Sequence, residues 1–457
     1  MRKRGFMMIE QMKPSGIDWI GEIPTDWNIK RVKYLASLKG RIGWQGLTSD
    51  EYIDEGPFLI TGIDFCNGGI DWENCVHITE ERWAEAPEIH IHNGDLLITK
   101  DGTIGKVAIV DNLTTKASLN SGVLLIRPQV DYDKKFLFWV LQSDEFWTWF
   151  KLKNAGNSTI VHLYQGDFAE FSYTFPMVEE QKAIANYLDA QCSKLDSIIA
   201  DLEKQIDTLQ KYKKSLITET VTKGLDKSAL MEDSGVEWIG KIPTRWKLSK
   251  VKYLIDNNHP YPVGDGDHGM IKADDYLSEG IPYIRVLNLT WGNGLNMDNI
   301  VFISEEMNSL IKNSELKPND ILIAKTGATI GKTAIVPESL PISNTTSHVG
   351  KITLPNSQNA KYYYYLMTSE IIQKQIQDIS SMQSTRPELG IEGLKNLLVI
   401  VPPLDIQQDI VQYLDCQCEK IDKIMLEKNK QLMIMIKHKA SLIFEYITGK
   451  KRVTEVK

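Results

Sequence analysis

One segment of this chain occurs twice: Ser15-Gly-Ile-Asp-Trp-Ile-Gly-Glu-Ile-Pro-Thr-Asp-Trp27 returns as Ser234-Gly-Val-Glu-Trp-Ile-Gly-Lys-Ile-Pro-Thr-Arg-Trp246. Val-Lys-Tyr-Leu follows in each case, at 32–35 and at 251–254. Chance does not produce such agreement, so an internal duplication constrains any fold the chain can adopt. Trp19, Trp27, Trp238 and Trp246 sit among Gly and Pro, which predicts a compact non-helical clasp whose indoles cover apolar surface.

The second repeated device is a long helix. Leu188, Leu195, Leu202, Leu209 and Leu216 recur every seventh residue, with Ile198, Ile199, Ile206 and Tyr212 at the intermediate offsets of a packed seam. Shifted by 226 residues, the same phase holds Leu414, Ile421, Lys428, Met435 and Leu442. A proline precedes each pattern, and carboxylates (Glu179 and Glu180; Asp405 and Asp409) fall in the first turns, where they favour the positive end of the helix dipole. Gly224 and Gly449 supply the stops. About 45 helical residues span roughly 65 to 70 Å, more than one globular core requires. Each helix reads as a spacer with a coiled-coil seam.

Between clasp and helix lies a block of short β-type runs: Phe58-Leu-Ile-Thr, Asp95-Leu-Leu-Ile-Thr, Val107-Ala-Ile-Val and Val123-Leu-Leu-Ile, with one amphipathic helix expected near Lys134 to Leu152. The second block offers Tyr283-Ile-Arg-Val, Asp320-Ile-Leu-Ile-Ala, Thr333-Ala-Ile-Val and Val349-Gly-Lys-Ile, then a helix near Ala360 to Asp378. Their loops differ. Lys39-Gly-Arg-Ile-Gly-Trp-Gln-Gly has no visible match in Asn257-Asn-His-Pro-Tyr-Pro-Val-Gly-Asp-Gly-Asp-His268. Similar scaffolds with dissimilar loops suggest two readers of two targets.

Length and composition bound the class. At 457 residues, 42% of them hydrophobic, the chain is long enough for two or three domains, each with a core. No apolar run is long enough to cross a bilayer, which predicts a cytoplasmic protein with no membrane partner. Five cysteines without CxxC spacing argue against a closed disulfide set, and Cys192 and Cys418 read as buried helix-seam residues. The net charge of -8 points away from a protein that coats nucleic acid nonspecifically, yet leaves room for a few base-reading loops whose phosphate contacts a partner supplies.

Candidate chemistry is sparse. Gly327-Ala-Thr-Ile-Gly-Lys-Thr333 resembles a phosphate loop but is one residue short, Gly102-Thr-Ile-Gly-Lys-Val107 is shorter still, and β-type residues follow both. Each is either a plain hairpin turn or a turn presenting Lys100, Thr103 and Lys106, or Lys325, Thr329 and Lys332, to an anionic surface. His90 and His92 would share one strand face but lack a third metal ligand. Asp265-Gly-Asp-His268 is turn chemistry before it is a metal or acid–base cluster. No catalytic signature is present, and neither a catalytic residue nor a metal site is expected. Asn157-Ser-Thr-Ile-Val-His-Leu163 and Gln383-Ser-Thr-Arg-Pro-Glu-Leu389 align at the same interval and carry side chains suited to phosphates or base edges, as well as to ordinary loops.

The assembled motifs carry a resemblance. Gly94-Asp-Leu-Leu and Asn319-Asp-Ile-Leu lead to Ile-Gly-Lys; then come Pro and Gln181 or Gln407, Tyr-Leu-Asp at 187–189 or 413–415, Lys194 or Lys420, and Asp196 or Asp422. In this order, twice over essentially the whole chain, they resemble the specificity subunit of type I restriction-modification systems. Asn319 departs from the Gly found at 94.

The resemblance implies an α+β chain: two β-rich target-recognition domains separated by two long antiparallel helices forming a coiled coil, with an internal pseudo-twofold repeat. The expected divisions are an N-terminal clasp (1–29), a first recognition domain (30–175), a spacer helix (176–224), a linker with the second clasp (225–249), a second recognition domain (250–400), a second spacer helix (401–449) and a frayed tail (450–457). The seam would consist of Leu188, Leu195, Leu202, Leu209, Leu216, Leu414, Ile421, Met435 and Leu442. Such a subunit reads a bipartite, asymmetric double-stranded DNA target without catalysing anything. It docks two adenine-N6 methyltransferase subunits, which use S-adenosylmethionine, and a translocase–nuclease subunit that uses ATP and Mg; this chain would bind none of these cofactors. Candidate DNA contacts are Trp44, Gln45, Lys100, Thr103, Lys106, Ser158 and Thr159, then His268, Lys325, Thr329, Lys332, Ser384, Thr385 and Arg386. The competing reading is a coiled-coil adaptor that binds proteins or peptides through its two β-rich blocks.

Overall fold

A computed structural model describes residues 11–41, 46–155, 161–266, 268–292, 294–381 and 387–453. The chain divides into two compact units, residues 1–202 with 430–457, and residues 203–429. Each unit holds one clasp, one β-rich lobe and the adjoining portions of both long helices.

In the first lobe, Val107–Ile109, Leu96–Thr99, Val123–Pro128 and Ala36–Gly40 form an antiparallel four-stranded sheet in that order. A second sheet places Ala117–Leu119 parallel to Ile53–Ile60, with Val76–His77 on its far edge. The strands form where β-branched and Leu residues run together, and their alternation divides two cores. Leu96, Ile98, Leu124 and Ile126 face helices Lys134–Leu141 and Asp144–Lys153, while Leu97, Val123 and Leu125 pack with Ile60 and Leu119 of the other sheet. The second lobe repeats this with the order Val263–Asp265, Val349–Ile352, Ile321–Ala324, Thr333–Ile335, and a smaller sheet of Val301–Ile303, Ile281–Ile284 and Asn344–Thr345.

The single helix expected in each lobe is two. Lys134–Leu141 ends before Ser143, and Asp144–Lys153 starts after it; Ala360–Thr368 and Glu370–Ser381 break likewise at Ser369. Both serines are extended (ψ 163° and 154°), and their hydroxyls donate back to the Val140 and Leu366 carbonyls. Serine competes in this way with the helical backbone, which a periodic apolar pattern does not register.

The long helices are Val178–Lys223 and Leu404–Ile447, 46 and 44 residues. In the first unit Leu188, Cys192 and Leu195 pack with Leu442, Ile443 and Tyr446, and Asp196 pairs with Lys439 at 2.6 Å. In the second unit Ile217 and Val221 share a core with Ile410, Leu414 and Cys418, and Lys213 pairs with Asp422 at 2.7 Å. Within each unit one helix advances as the other returns. Of the expected seam, Leu188, Leu195, Leu202, Leu414, Ile421 and Leu442 are buried, whereas Leu209, Leu216 and Met435 are half-buried. Ile198 and Tyr212, expected to pack, face solvent, because the helix rotation carries those offsets off the contact stripe.

Each clasp is a pair of short antiparallel strands, Met12–Pro14 with Glu22–Pro24 and Met231–Asp233 with Lys241–Pro243. Trp27 is fully buried and its indole N–H donates to Glu180 at 3.0 Å. The chain beyond Gly449, expected to fray, is tied down through Arg452: Lys450 donates to the Ile20 carbonyl at 2.8 Å, and Arg452 binds Glu180 and Asp26 at 2.7 and 2.8 Å. These cations meet the Asp26 carboxylate and the Ile20 carbonyl of the clasp and the Glu180 carboxylate of the first long helix, partners distant in sequence. Residues 454–457 lie outside the described residues.

Candidate nucleic-acid interface

The sheet registers gather specific loops at one rim of each lobe. In the first, Gly40 lies opposite Leu124 and Thr99 opposite Val123, so the end of one strand, the end of another and the start of a third coincide. Leu119 lies opposite Ile60, and Asn120–Gly122 leads directly into Val123. The Lys100 amide donates to the Gly122 carbonyl at 2.8 Å, and the Leu163 amide donates to the Lys100 carbonyl at 3.0 Å. Loops from five points in the sequence therefore meet around Lys100.

The second rim is built by the same bonds. The Lys325 amide donates to His348 and the Leu389 amide to Lys325, at 2.9 and 2.8 Å, so Lys100 and Lys325 are equivalent. Thr333 starts a strand opposite Ile323 just as Val107 does opposite Ile98. The Gly-Lys turns are thus hairpin turns between antiparallel strands and lead into no helix. Gly105 and Gly331 adopt φ of 79° and 90°, and a Cβ would meet Trp147 at 2.5 Å or Gln373 at 2.3 Å, which accounts for glycine at both.

The rims differ in how they use their side chains. Thr103 and Lys106 are exposed, each donating to the Gly62 carbonyl, at 3.1 and 3.5 Å. Lys100 is half-buried, and among the described residues its ammonium has no ion-pair or hydrogen-bond partner. Behind it Arg41, 3% exposed, donates to the Leu119 carbonyl at 2.7 Å and to Ser118 Oγ at 3.0 Å; burial, then Arg82, draws its guanidinium below its ordinary pKa. Asp101 pairs with His162. In the second lobe Lys325 is 3% exposed and its ammonium is held by Asp265, with Glu388 at 3.7 Å. Lys325, expected among the DNA contacts, is here ion-paired inside the lobe. His268, at φ 48°, turns its Nε2 to Asp265 Oδ1 at 3.2 Å, and its side chain is largely exposed. Thr329 donates to the Thr326 carbonyl at 3.2 Å, and Lys332 is half-buried.

Trp44, Gln45, Ser158, Thr159, Ser384, Thr385 and Arg386 lie outside the described residues, as does Asp267. Among the described residues no three His, Cys, Asp or Glu side chains are grouped to hold a metal ion. His90 stacks on Trp83 with ring centroids 3.6 Å apart, and His92 faces Arg127, so the two do not act together. No helix of the described residues is long and apolar enough to cross a membrane. Arg41, Asp265 and Glu388 escaped the choice of rim contacts because their partners are distant in sequence.

The sequence profile of the type I restriction modification DNA specificity domain matches residues 24–208 and 267–433. The chain belongs to that family. It is 24% identical over 442 residues to the type I restriction enzyme MjaVIII specificity subunit of Methanocaldococcus jannaschii, covering 94% of each chain. It is 26% identical over 355 residues to the EcoBI specificity subunit of Escherichia coli, covering 75% of this chain and 70% of that one. A solved chain from work on complex assembly and conformational transition of the type I R-M system shares the fold, with a TM-score of 0.67 at 15% identity, covering 94% of this chain and 99% of the other.

The motifs of this specificity protein do structural work at the base of each lobe. Gln181 accepts from the Asp133 amide at 2.9 Å and donates to the Pro176 carbonyl at 2.8 Å; Gln407 does the same with Asn359 and Pro402, at 2.8 and 2.9 Å. Asp189 accepts from Trp139 and binds Lys135, where Asp415 accepts from Tyr365 and binds Lys361. Gly94 and Asn319 both take positive φ, 86° and 69°, so the departure at 319 keeps the turn, Asn tolerating that region better than other side-chain-bearing residues. Lys194 and Lys420 are exposed.

Proposed function

We propose that this chain is the DNA-reading subunit of a type I restriction-modification complex, each lobe recognising one half of a bipartite, asymmetric double-stranded target. The observation that carries this reading is the pair of rims: identical backbone bonds around Lys100 and Lys325, furnished with different side chains, in a chain of the specificity family. A fixed frame with variable polar edges is what base and phosphate readout requires. The long helices act as a coiled-coil spacer between half-sites. Their outer faces and the clasps dock two adenine-N6 methyltransferase subunits, to which a translocase–nuclease subunit adds restriction. S-adenosylmethionine, ATP and Mg belong to those partners, and this chain performs no chemistry of its own. The partners furnish the basic surface that a chain of net charge -8 does not.

The test is a genome-wide map of N6-methyladenine in cells that carry or lack this chain together with the methyltransferase subunit. A split motif, methylated in both halves only when the chain is present, is expected; unchanged methylation would remove the assignment. Replacing residues 30–175 with the corresponding domain of another family member should alter one half of that motif and leave the other intact. Change in both halves would contradict modular reading.

A further inference from the structure

The ladder registers make a comparison of the rims possible that their loop sequences conceal. Ile98 and Ile323 are equivalent, each two residues before the lysine; Ile98 faces Leu124, which faces Gly40, and Ile323 faces Gly350, which faces Asp265. Gly40 and Asp265 therefore occupy the same rung. Asp265 projects the carboxylate that holds the Lys325 ammonium. Gly40 projects nothing, although a Cβ there would lie 3.8 Å from the Lys100 Nζ, where the missing partner would begin. The next position sharpens the contrast, since the first lobe has the buried Arg41 where the second has Gly266. At these two positions the first rim thus offers no carboxylate to Lys100, and Asp101 is already engaged by His162; the second rim closes its lysine between Asp265 and Glu388.

We infer that Lys100 is a DNA-contacting residue of the first lobe with no counterpart in the second, and that Gly40 in place of Asp265 is the difference that frees it. This deepens the DNA-reading assignment and rests on it. The ligand chemistry is an acceptor oxygen or nitrogen of DNA, either a phosphate or the O6/N7 edge of a guanine. A half-buried ammonium with no carboxylate partner gains a charge-assisted bond on meeting such an acceptor, whereas Lys325 would first have to break its ion pair.

The experiment uses the full-length chain co-expressed with the methyltransferase subunit, and measures DNA affinity over a range of salt and over all single-base variants of the target. Lys100→Met should weaken binding about tenfold or more. Uniform weakening with a salt slope reduced by about one assigns Lys100 to a phosphate; lost discrimination at one base pair of the first half-site assigns it to a guanine. Gly40→Asp, which keeps the lysine and gives it the partner seen in the second lobe, should act in the same direction and covers the case in which Lys100→Met does not fold. Asp265→Asn with Lys325→Met should leave the salt slope unchanged. Wild-type affinity, slope and discrimination in the Lys100 and Gly40 variants would overturn the proposal, as would an equal loss in the Asp265/Lys325 double variant. Failure of the wild-type complex to prefer any split sequence would instead overturn the DNA-reading assignment.

Discussion

Glu145 is the second residue of its helix and fully buried, and neither carboxyl oxygen has a hydrogen-bond partner among the described residues. Burial raises its pKa well above the ordinary 4.5. Below that ordinary value folded and unfolded chains both hold the proton. As pH rises past it the unfolded chain releases the proton and the folded chain keeps it, so Glu145 lowers stability increasingly until the folded pKa is reached. The second lobe has Ile371 at the equivalent second helical position. Glu145→Ile should therefore stabilise the first unit by about 1 to 3 kcal/mol at neutral pH, with the gain shrinking as pH falls toward 4. Thermal unfolding across pH measures it, and a gain that does not vary with pH would show that the carboxyl is not responsible. Nothing in the sequence marks this glutamate as buried, since Asp144-Glu145 reads as ordinary acidic capping of a helix start. Lys100 and Lys325 were equally opaque: both follow a β run and precede a Gly turn, and what separates them, no ion-pair partner among the described residues for one and Asp265 with Glu388 for the other, comes from residues distant in sequence.

At the scale of the element, the long helices were legible because a seven-residue period needs no tertiary information. Their pairing depends on residues that the duplication itself predicts to correspond. Asp196 with Lys439 and Lys213 with Asp422 are the same ion pair seen from either helix, 226 residues apart on each partner. The copies differ in burial. The Lys213 side chain is 11% exposed and binds both Asp422 oxygens, at 2.7 and 2.8 Å, whereas Lys439 is 25% exposed and Asp196 53%. Asp422→Asn strands a nearly buried ammonium and should cost about 1 to 3 kcal/mol, while Asp196→Asn should cost about 1 kcal/mol or less. Chemical denaturation of the two variants checks the order, and equal losses would mean that burial does not set the strength of the pair. The breaks at Ser143 and Ser369 were not legible, because apolar periodicity continues through both while the serine hydroxyls return to the preceding turn.

For the whole molecule, the proposed spacer makes target geometry a matter of helix length. Removing two heptads from both long helices, in register, shortens each by about 21 Å. Both half-site identities should survive while the tolerated gap between them changes or binding is abolished, which a methylome or a set of gap-length duplexes would register; an unaltered gap would refute the ruler. The sequence by itself determined the duplication, the two long helices and the strand runs, because repeats and periods are written in neighbouring residues. The tertiary structure alone decided which lysine is ion-paired, what Arg452 binds and that Glu145 is buried. Each of those depends on a partner brought close by strand register or helix packing, and no pattern along the chain records what lies across from it.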